Sequence, residues 1–368
     1  MRSVRDWSLI RALTTACGVA ALAVLLPASG HAQTKAPDDT PSVKIGGTIL
    51  GDYTYTDAPS ATDASGNSYH PNGFSISRTY INITGQLSHV VSFRLTPDVS
   101  RETGSGSSLN GSLDFRLKYA FAQVNLGDWM TKGSWVRLGQ QQTPLIDYQE
   151  GIYRYRFQGT TFTEREGYLT SSDAGASFHY AFAKDYGDVH VGIYNGEGYS
   201  HAEANDRKAL QVRATVRPFA EGGAALHGLR ATVFYDGDSY TRDATRRRVL
   251  GELTYEHHYV NAGFDYLNTR DQPTVVAPEL RGSGYSFWIT PKLGAGFEVL
   301  VRYDHMTPDT TFDSQARTRT IAGVSRWFTY PGGLNSAILV DYEQVNGDDF
   351  TPAQPEQRRI AVHAQLNF

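Results

Sequence analysis

The sequence predicts an all-β chain: one transmembrane antiparallel β-barrel of sixteen strands. Three observations carry this expectation. Along Arg359–Phe368, Ile360, Val362, Ala364, Leu366 and Phe368 fall on one side of a strand. Arg359, His363, Gln365 and Asn367 fall on the other. A strand with one apolar and one polar face fits lipid outside and water inside, and about 9–11 residues cross a bilayer. Fifteen further segments repeat the pattern. The connections between segments alternate short and long, as they do in a barrel with tight turns at one rim and loops at the other.

The chain opens on a targeting segment. Arg2, Arg5 and Arg11 precede an apolar run, Ala16–Leu26, too short to span a bilayer as a helix, and Gly30 and Ala32 suit a cleavage site. Residues 1–32 therefore read as a secretory signal peptide and 33–42 as a disordered lead-in with two prolines. Residues 43–368 read as one barrel domain. The only cysteine, Cys17, leaves with the signal peptide. No later apolar run reaches the roughly 18 residues of a membrane helix. Tyr (22) and Gly (36) are frequent, as interfacial girdles and tight turns require. Cleavage leaves a net charge of about −6, which argues against a nucleic-acid partner.

The segments follow in order. The first five are Val43–Thr56, Phe74–Leu87, His89–Ser100, Leu113–Leu126 and Ser134–Gln142. The third is a clear case, with Val91, Phe93 and Leu95 against Ser92, Arg94 and Thr96. Next come Ser172–Ala183, Asp188–Gly196, Ala209–Phe219, Gly228–Asp238 and Arg247–His258; the eighth sets Leu210, Val212, Ala214 and Val216 against Gln211, Arg213, Thr215 and Arg217. The last six are Val260–Thr269, Gly282–Pro291, Phe297–Met306, Thr318–Phe328, Ser336–Val345 and Arg358–Phe368. The fourth and fourteenth alternate less cleanly, and either has room for a bulge. Seven shorter turns and eight longer loops join the segments. An even strand number puts both chain ends at the short-turn, periplasmic rim.

The longest connection, Thr143–Ser171, carries Pro144, Tyr148, Tyr153, Tyr155, Phe157, Phe162 and Tyr168. Among these stand Asp147, Glu150, Arg154, Arg156, Glu164, Arg165 and Glu166. So many rings are expected to pack on a wall rather than stand in solvent, with a purely external loop as the alternative. By strand parity the inward bases are Arg78, Arg94, Arg116, Lys118, Arg137, Arg213, Arg217, Arg230 and Arg302. The inward acids are Asp52, Asp98, Asp114, Asp236, Glu252, Glu256, Asp265, Glu298, Asp304, Asp341 and Glu343. Arginines concentrate on strands two to five and eight to nine, and carboxylates on ten to fifteen. Walls of opposite sign would set a field across the lumen.

Four stretches resemble a known family: Ile76–Asp98 (ISRTYINITGQLSHVVSFRLTPD), Val136–Pro144 (VRLGQQQTP), Ser172–Gly175 (SDAG) and Ile193–Tyr199 (IYNGEGY). The chain from Val43 to Phe368 is similar to the phosphate-selective porin O/P family of Gram-negative outer-membrane porins. That resemblance implies a third extracellular loop, here 143–171, folded into the lumen as a constriction, and a homotrimer. It implies passive diffusion of small hydrophilic solutes or inorganic ions, anions such as phosphate among them. The residues expected at the constriction are Arg154, Arg156, Glu164, Arg165 and Glu166, facing Arg78, Arg94 and Arg137. Phosphate-selective members use dense arginine and lysine rows; here lysine is sparse and the inward charges are mixed, so phosphate selectivity does not follow from the family alone. The terminal Phe368 resembles the assembly signal of such barrels. Expected partners are outer-membrane lipid, lipopolysaccharide and the barrel assembly machinery.

Catalysis is not expected. His257 and His258 are the only adjacent histidines, and strand neighbours face opposite ways. No HExxH pattern offers a metal or base, and loop acids such as Asp309, Asp313, Asp348 and Asp349 lack EF-hand spacing. No cofactor is expected. The alternatives to a porin are a plugged barrel acting as a receptor or adhesin, and an outer-membrane hydrolase.

Overall fold

The computed structural model describes residues 39–368, except 105 and 313. The signal peptide, its Cys17 and residues 33–38 lie outside the described residues. Sixteen antiparallel strands close into one barrel. They are β1 (Ser42–Ala58), β2 (Asn72–Gln86), β3 (Val91–Arg101), β4 (Leu113–Asn125), β5 (Trp135–Gln142) and β6 (Ser172–Ala181), then β7 (Gly187–Tyr194), β8 (Ala209–Val216), β9 (Leu229–Asp238), β10 (Arg246–Glu256) and β11 (Val260–Asp271). The last five are β12 (Leu280–Gly294), β13 (Phe297–Thr307), β14 (Ala316–Thr329), β15 (Asn335–Asp348) and β16 (Gln357–Asn367). Each strand pairs with its chain neighbour, and β16 returns to β1 with Thr48 opposite Asn367 and Tyr53 opposite Val362. Closure leaves no free sheet edge. Among the described residues no helix is long and apolar enough to cross a membrane.

The alternation follows from two solvents. In β13, Glu298, Leu300, Arg302 and Asp304 are buried toward the interior, while Phe297 and Val301 are exposed on the outer wall. In β16, Ala361 and His363 turn in, and Ile360, Val362 and Leu366 turn out. The ladder register shifts between Thr96 and Pro97, where β4 carries Lys118 as an extra residue, so the less regular fourth segment does hold a bulge. β14 pairs on both sides without a shift. Several strands outrun their alternating text, β12 and β15 among them, because beyond the bilayer the ladder continues without an apolar face to mark it. β10 stops at Glu256, so His257 and His258 stand in a turn rather than on the strand, their rings 4.0 Å apart.

The lead-in is tied down at its described end. His89, in the turn after β2, bonds Asp39 through Nδ1 (2.6 Å) and Asp128 through Nε2 (2.8 Å). The hydrogen bond that His89 donates to Asp39, then the one it donates to Asp128, raises its pKa above the ordinary 6.5. A raised folded-state pKa means that this tether is complete below the ordinary histidine value and is lost as pH rises through the shifted one. An NMR titration should therefore give His89 a midpoint above 6.5. Asp39→Asn should lower it more than Asp128→Asn, because the imidazole bond to Asp39 is the shorter, 2.6 against 2.8 Å, and the larger cause of the shift. An unmoved midpoint in both variants would sink the tether.

Candidate functional site

The interior is not uniformly polar. Phe234, Leu250, Leu267, Leu300, Ile321 and Leu339 sit at inward positions of β9–β15, each no more than 2 % exposed. In a water-filled lumen those side chains would be wet, at roughly 1.5–3 kcal/mol each. The 143–171 segment covers them. Leu145, Ile146, Phe162 and Leu169 pack with Phe234, Leu250, Leu267 and Met306. Ile152, Tyr153, Tyr155 and Phe157 pack with Trp288, Leu300, Ile321 and Leu339. Tyr153 meets Trp288 at 5.2 Å between ring centroids, and Tyr155 and Phe157 meet Trp327 edge-on at 5.7 and 5.6 Å.

Helix periodicity decides which side chains the segment shows to the wall. In α1 (Ile146–Tyr153), Ile146, Gln149, Ile152 and Tyr153 are buried, and Asp147 and Glu150 share the other face at i, i+3 spacing. Arg154 ends α1 in the left-handed region (φ 64°), its N–H on the Glu150 carbonyl. An arginine bears that strain where glycine is usual. The reversal drives Tyr155 and Phe157 into the wall and lays the Arg154 guanidinium on Glu298 (2.9 and 3.0 Å), 5.0 Å from the Trp327 ring. The short α2 (Phe162–Arg165) follows.

Polar anchors complete the attachment. Gln149 donates to Glu252 at 3.2 Å, Tyr155 donates to Glu298 at 2.9 Å, and Gln158 donates to Glu343 at 2.9 Å. Arg165 also reaches Glu343, at 3.3 Å, and Arg317 and Arg319 clamp Glu166 at 2.7 and 3.5 Å. Wall arginines donate back to segment carbonyls: Arg213 to Pro144 (2.8 Å), Arg302 to Thr160 (2.9 Å) and Arg248 to Tyr168 (3.3 Å). Asn261 does the same to Ile152 at 3.2 Å.

The eight residues expected at one constriction are divided by the structure. Arg154, Arg165 and Glu166 do not face Arg78, Arg94 and Arg137; they are bonded to β13–β15. Arg78 lies with Arg116 on the shared carboxylate of Asp98, at 2.8 and 3.0 Å. Arg137 is 3.8 Å from the Trp135 ring centre and donates to Gln123 at 2.7 Å. Arg156 and Arg94 do line one cavity of about 170 Å³, together with Lys118, Asp147, Glu150 and Tyr80. Glu164 stays beside that group, its charge felt by Glu150 and Arg156. Lys118 was visible as an inward base, and Asp147 and Glu150 as loop acids. Sequence alone did not single them out for the gap, because which face of α1 meets the wall depends on packing.

The geometry of the gap is held from both sides. On β3–β4, Arg94 donates to Asn82 (2.8 Å) and Thr96 (3.0 Å) and sits 4.6 Å from the Tyr119 ring. Lys118 lies between the Tyr80 and Tyr119 rings, at 4.8 and 5.3 Å. Opposite, Arg156 pairs with Glu150 at 2.9 Å. Burial pushes the Glu150 carboxyl above the ordinary range, against the pull of Lys118 and Arg156. A second cavity, about 350 Å³, shares Arg94 and adds Lys44 and Arg137, with no acid in its lining.

The expected wall-to-wall asymmetry is reduced by these contacts. Three carboxylates of β13–β15 are matched by bases: Glu298 by Arg154, Asp304 by Arg302, and Glu343 by Arg165, Arg319 and Arg359; Asp341 meets only His363, at 3.4 Å. Parity counting passed over Arg248 on β10 and Arg319 on β14, and it could not see that 143–171 brings its own arginines. The opposed charges of the gap are Arg94 and Lys118 on one side and the α1 acids on the other. Among the described residues no group of three or more His, Cys, Asp or Glu is arranged to hold a metal.

The family model for phosphate-selective porin O and P matches residues 43–256. Comparison with curated proteins finds no match. Among solved structures, the chain is similar to an anion-selective porin from Comamonas acidovorans, at 13 % identity and a TM-score of 0.60 over 89 % of this chain and 100 % of that one. It is similar to the trimer form of in-vitro folded OmpT, an outer membrane protein of Vibrio cholerae, at 12 % identity and 0.57 over 90 % and 100 %. The outer membrane channel DcaP of Acinetobacter baumannii gives 12 % and 0.58 over 90 % and 98 %. At such identities the likeness is one of fold.

Proposed function

The chain belongs to the phosphate-selective porin O and P family of outer-membrane channels for small solutes, and we propose that passage is decided in the gap between α1 and β2–β4. The observation that carries this is the attachment of 143–171: its apolar side chains, Arg154 and Arg165 are bound to β8–β15, and Asp147, Glu150 and Arg156 are left facing Arg94 and Lys118. Flow through such a gap is passive diffusion limited by its width and fixed charge, with no cofactor and no catalytic step. Lys44, Arg94, Lys118, Arg137 and Arg156 outnumber Asp147 and Glu150 along the two cavities, which favours anions modestly. The trimeric form of the Vibrio cholerae protein supports a homotrimer.

Planar-bilayer recordings test the reading. Wild-type protein should give steady ohmic steps. Replacing residues 146–166 by a short Gly/Ser linker should raise the step size roughly two- to threefold, because the segment no longer fills the lumen. Unchanged steps would mean that 143–171 does not limit flow, and no steps from the wild type would mean a plugged barrel.

A further inference from the structure

On the outer wall, at the rim that carries the long loops, three arginines stand in one row. Arg247 of β10 is the direct cross-strand partner of Arg270 on β11, and Arg270 is the partner of Arg281 on β12. All three are exposed, whereas their neighbours Arg248, Thr269 and Gly282 turn inward and are buried. Like charges placed directly opposite destabilise a sheet. The lumen arginines described above have carboxylate partners or stack on rings, but Arg247 and Arg270 have no ion pair among the described residues. Arg281 has only the partly exposed Glu279, at 2.9 Å. The nearest acid on β11, Asp271, is held by Arg248 at 2.7 Å.

The rows beneath give the depth. Two residues further along the strands stand Val249, Asn268 and Ser283; two further, Gly251, Tyr266 and Tyr285; two further, Leu253, Phe264 and Phe287. Charge, then amide and hydroxyl, then aromatic, then hydrocarbon is the order of a membrane interface. At about 3.4 Å per residue the arginines stand roughly 14 Å along the strands from the tyrosines. Long loops mark the external rim, so the row lies at the headgroup level of the outer leaflet. A cleft of about 400 Å³ runs along it.

We propose that Arg247, Arg270 and Arg281 bind the phosphates of a phosphorylated glycolipid of the outer leaflet. Guanidinium groups bind phosphate oxygens in bidentate fashion. Strands about 4.8 Å apart bring the three heads together on one or two phosphates. The apolar wall below accepts the acyl chains, which a free phosphate ion would leave uncovered. A headgroup with two phosphates matches three cations better than a glycerophospholipid with one.

The test uses the intact, folded protein in detergent. Native mass spectrometry is run with bisphosphorylated lipid A, its dephosphorylated form, phosphatidylglycerol or inorganic phosphate at equal concentration. Wild type should retain the bisphosphorylated glycolipid above the others, and R247Q/R270Q/R281Q should retain it at least about tenfold less, while the triple lysine variant falls between. Unchanged single-channel conductance shows that the glutamine variant is folded, since none of the three residues faces the lumen. Should that variant not fold, the central R270Q alone should show the largest single loss. Equal retention by the variants, equal binding of phosphatidylglycerol or inorganic phosphate, or a change of oligomeric state in place of lipid loss would each overturn the proposal. The last outcome would put the row between copies.

Discussion

Replacing Asp147 and Glu150 together by Asn and Gln should turn the channel strongly toward anions. These are the two acids lining the gap cavity, against Arg94, Lys118 and Arg156. A unit charge about 5 Å from an ion is worth about 0.8 kcal/mol even in bulk water, roughly fourfold in local ion concentration. The effect has opposite sign for cations and anions, so it enters twice in their permeability ratio. Screening over a Debye length of about 10 Å at 0.1 M salt reduces it. Two removed charges should still move the anion-to-cation ratio on the order of tenfold, read as a shifted reversal potential in a salt gradient. Lys118→Met should move it the other way. A double variant with the wild-type reversal potential would place the selective region elsewhere.

The same acids carry a pH dependence. Because burial raises the Glu150 carboxyl above its ordinary range, Glu150 takes up its proton at a higher pH than a solvated glutamate. Mild acidification should therefore imitate part of the double substitution, moving wild type toward anions. Glu150→Gln should shrink that shift, read as a smaller change of reversal potential on acidification.

Much of the barrel was legible because each strand meets two solvents, and two solvents write an alternating text. Val91–Thr96 and Arg359–Phe368 name their inward and outward faces without any tertiary information. The limits of the text are physical as well. The β4 bulge beside Lys118 turns Tyr119 and Phe121 inward, where both support bases of the cavities, and strict alternation from Arg116 would have turned them out. Apolar residues at inward positions, such as Leu250, Leu267, Leu300 and Ile321, were the available signal that something covers β9–β14 from within. Read with the rings of 143–171, they point to the wall this segment takes. The direction of its charges was not readable, because Arg154 points to Glu298 only through a left-handed turn that its residue type does not announce.

Deleting Phe368 should reduce assembled barrel in the outer membrane by at least about tenfold, far beyond its share of the folded-state energy. In the closed barrel Phe368 and Gly47 exchange two backbone hydrogen bonds, of 2.7 and 3.0 Å, at the end of the β1–β16 seam. At about 1 kcal/mol net for each bond, plus a ring that stays 57 % exposed on the outer wall, the static loss is about 2–3 kcal/mol. A loss that small in a sixteen-stranded ladder would lower thermal stability without emptying the membrane. Before closure, however, β1 and β16 are open edges, and an aromatic on the lipid-facing register just past β16 is what an assembly factor can grasp. Phe368→Ala separates the two effects, since it keeps both backbone bonds and removes only the ring. Assembly as poor as in the deletion would show that the ring is read; normal assembly of Phe368→Ala would leave only the bonds. Gly47→Val supplies the converse, because a Cβ there would stand 2.5 Å from the Phe368 ring. It should displace the ring and loosen the seam, lowering the unfolding temperature of barrels that have still been recognised and inserted.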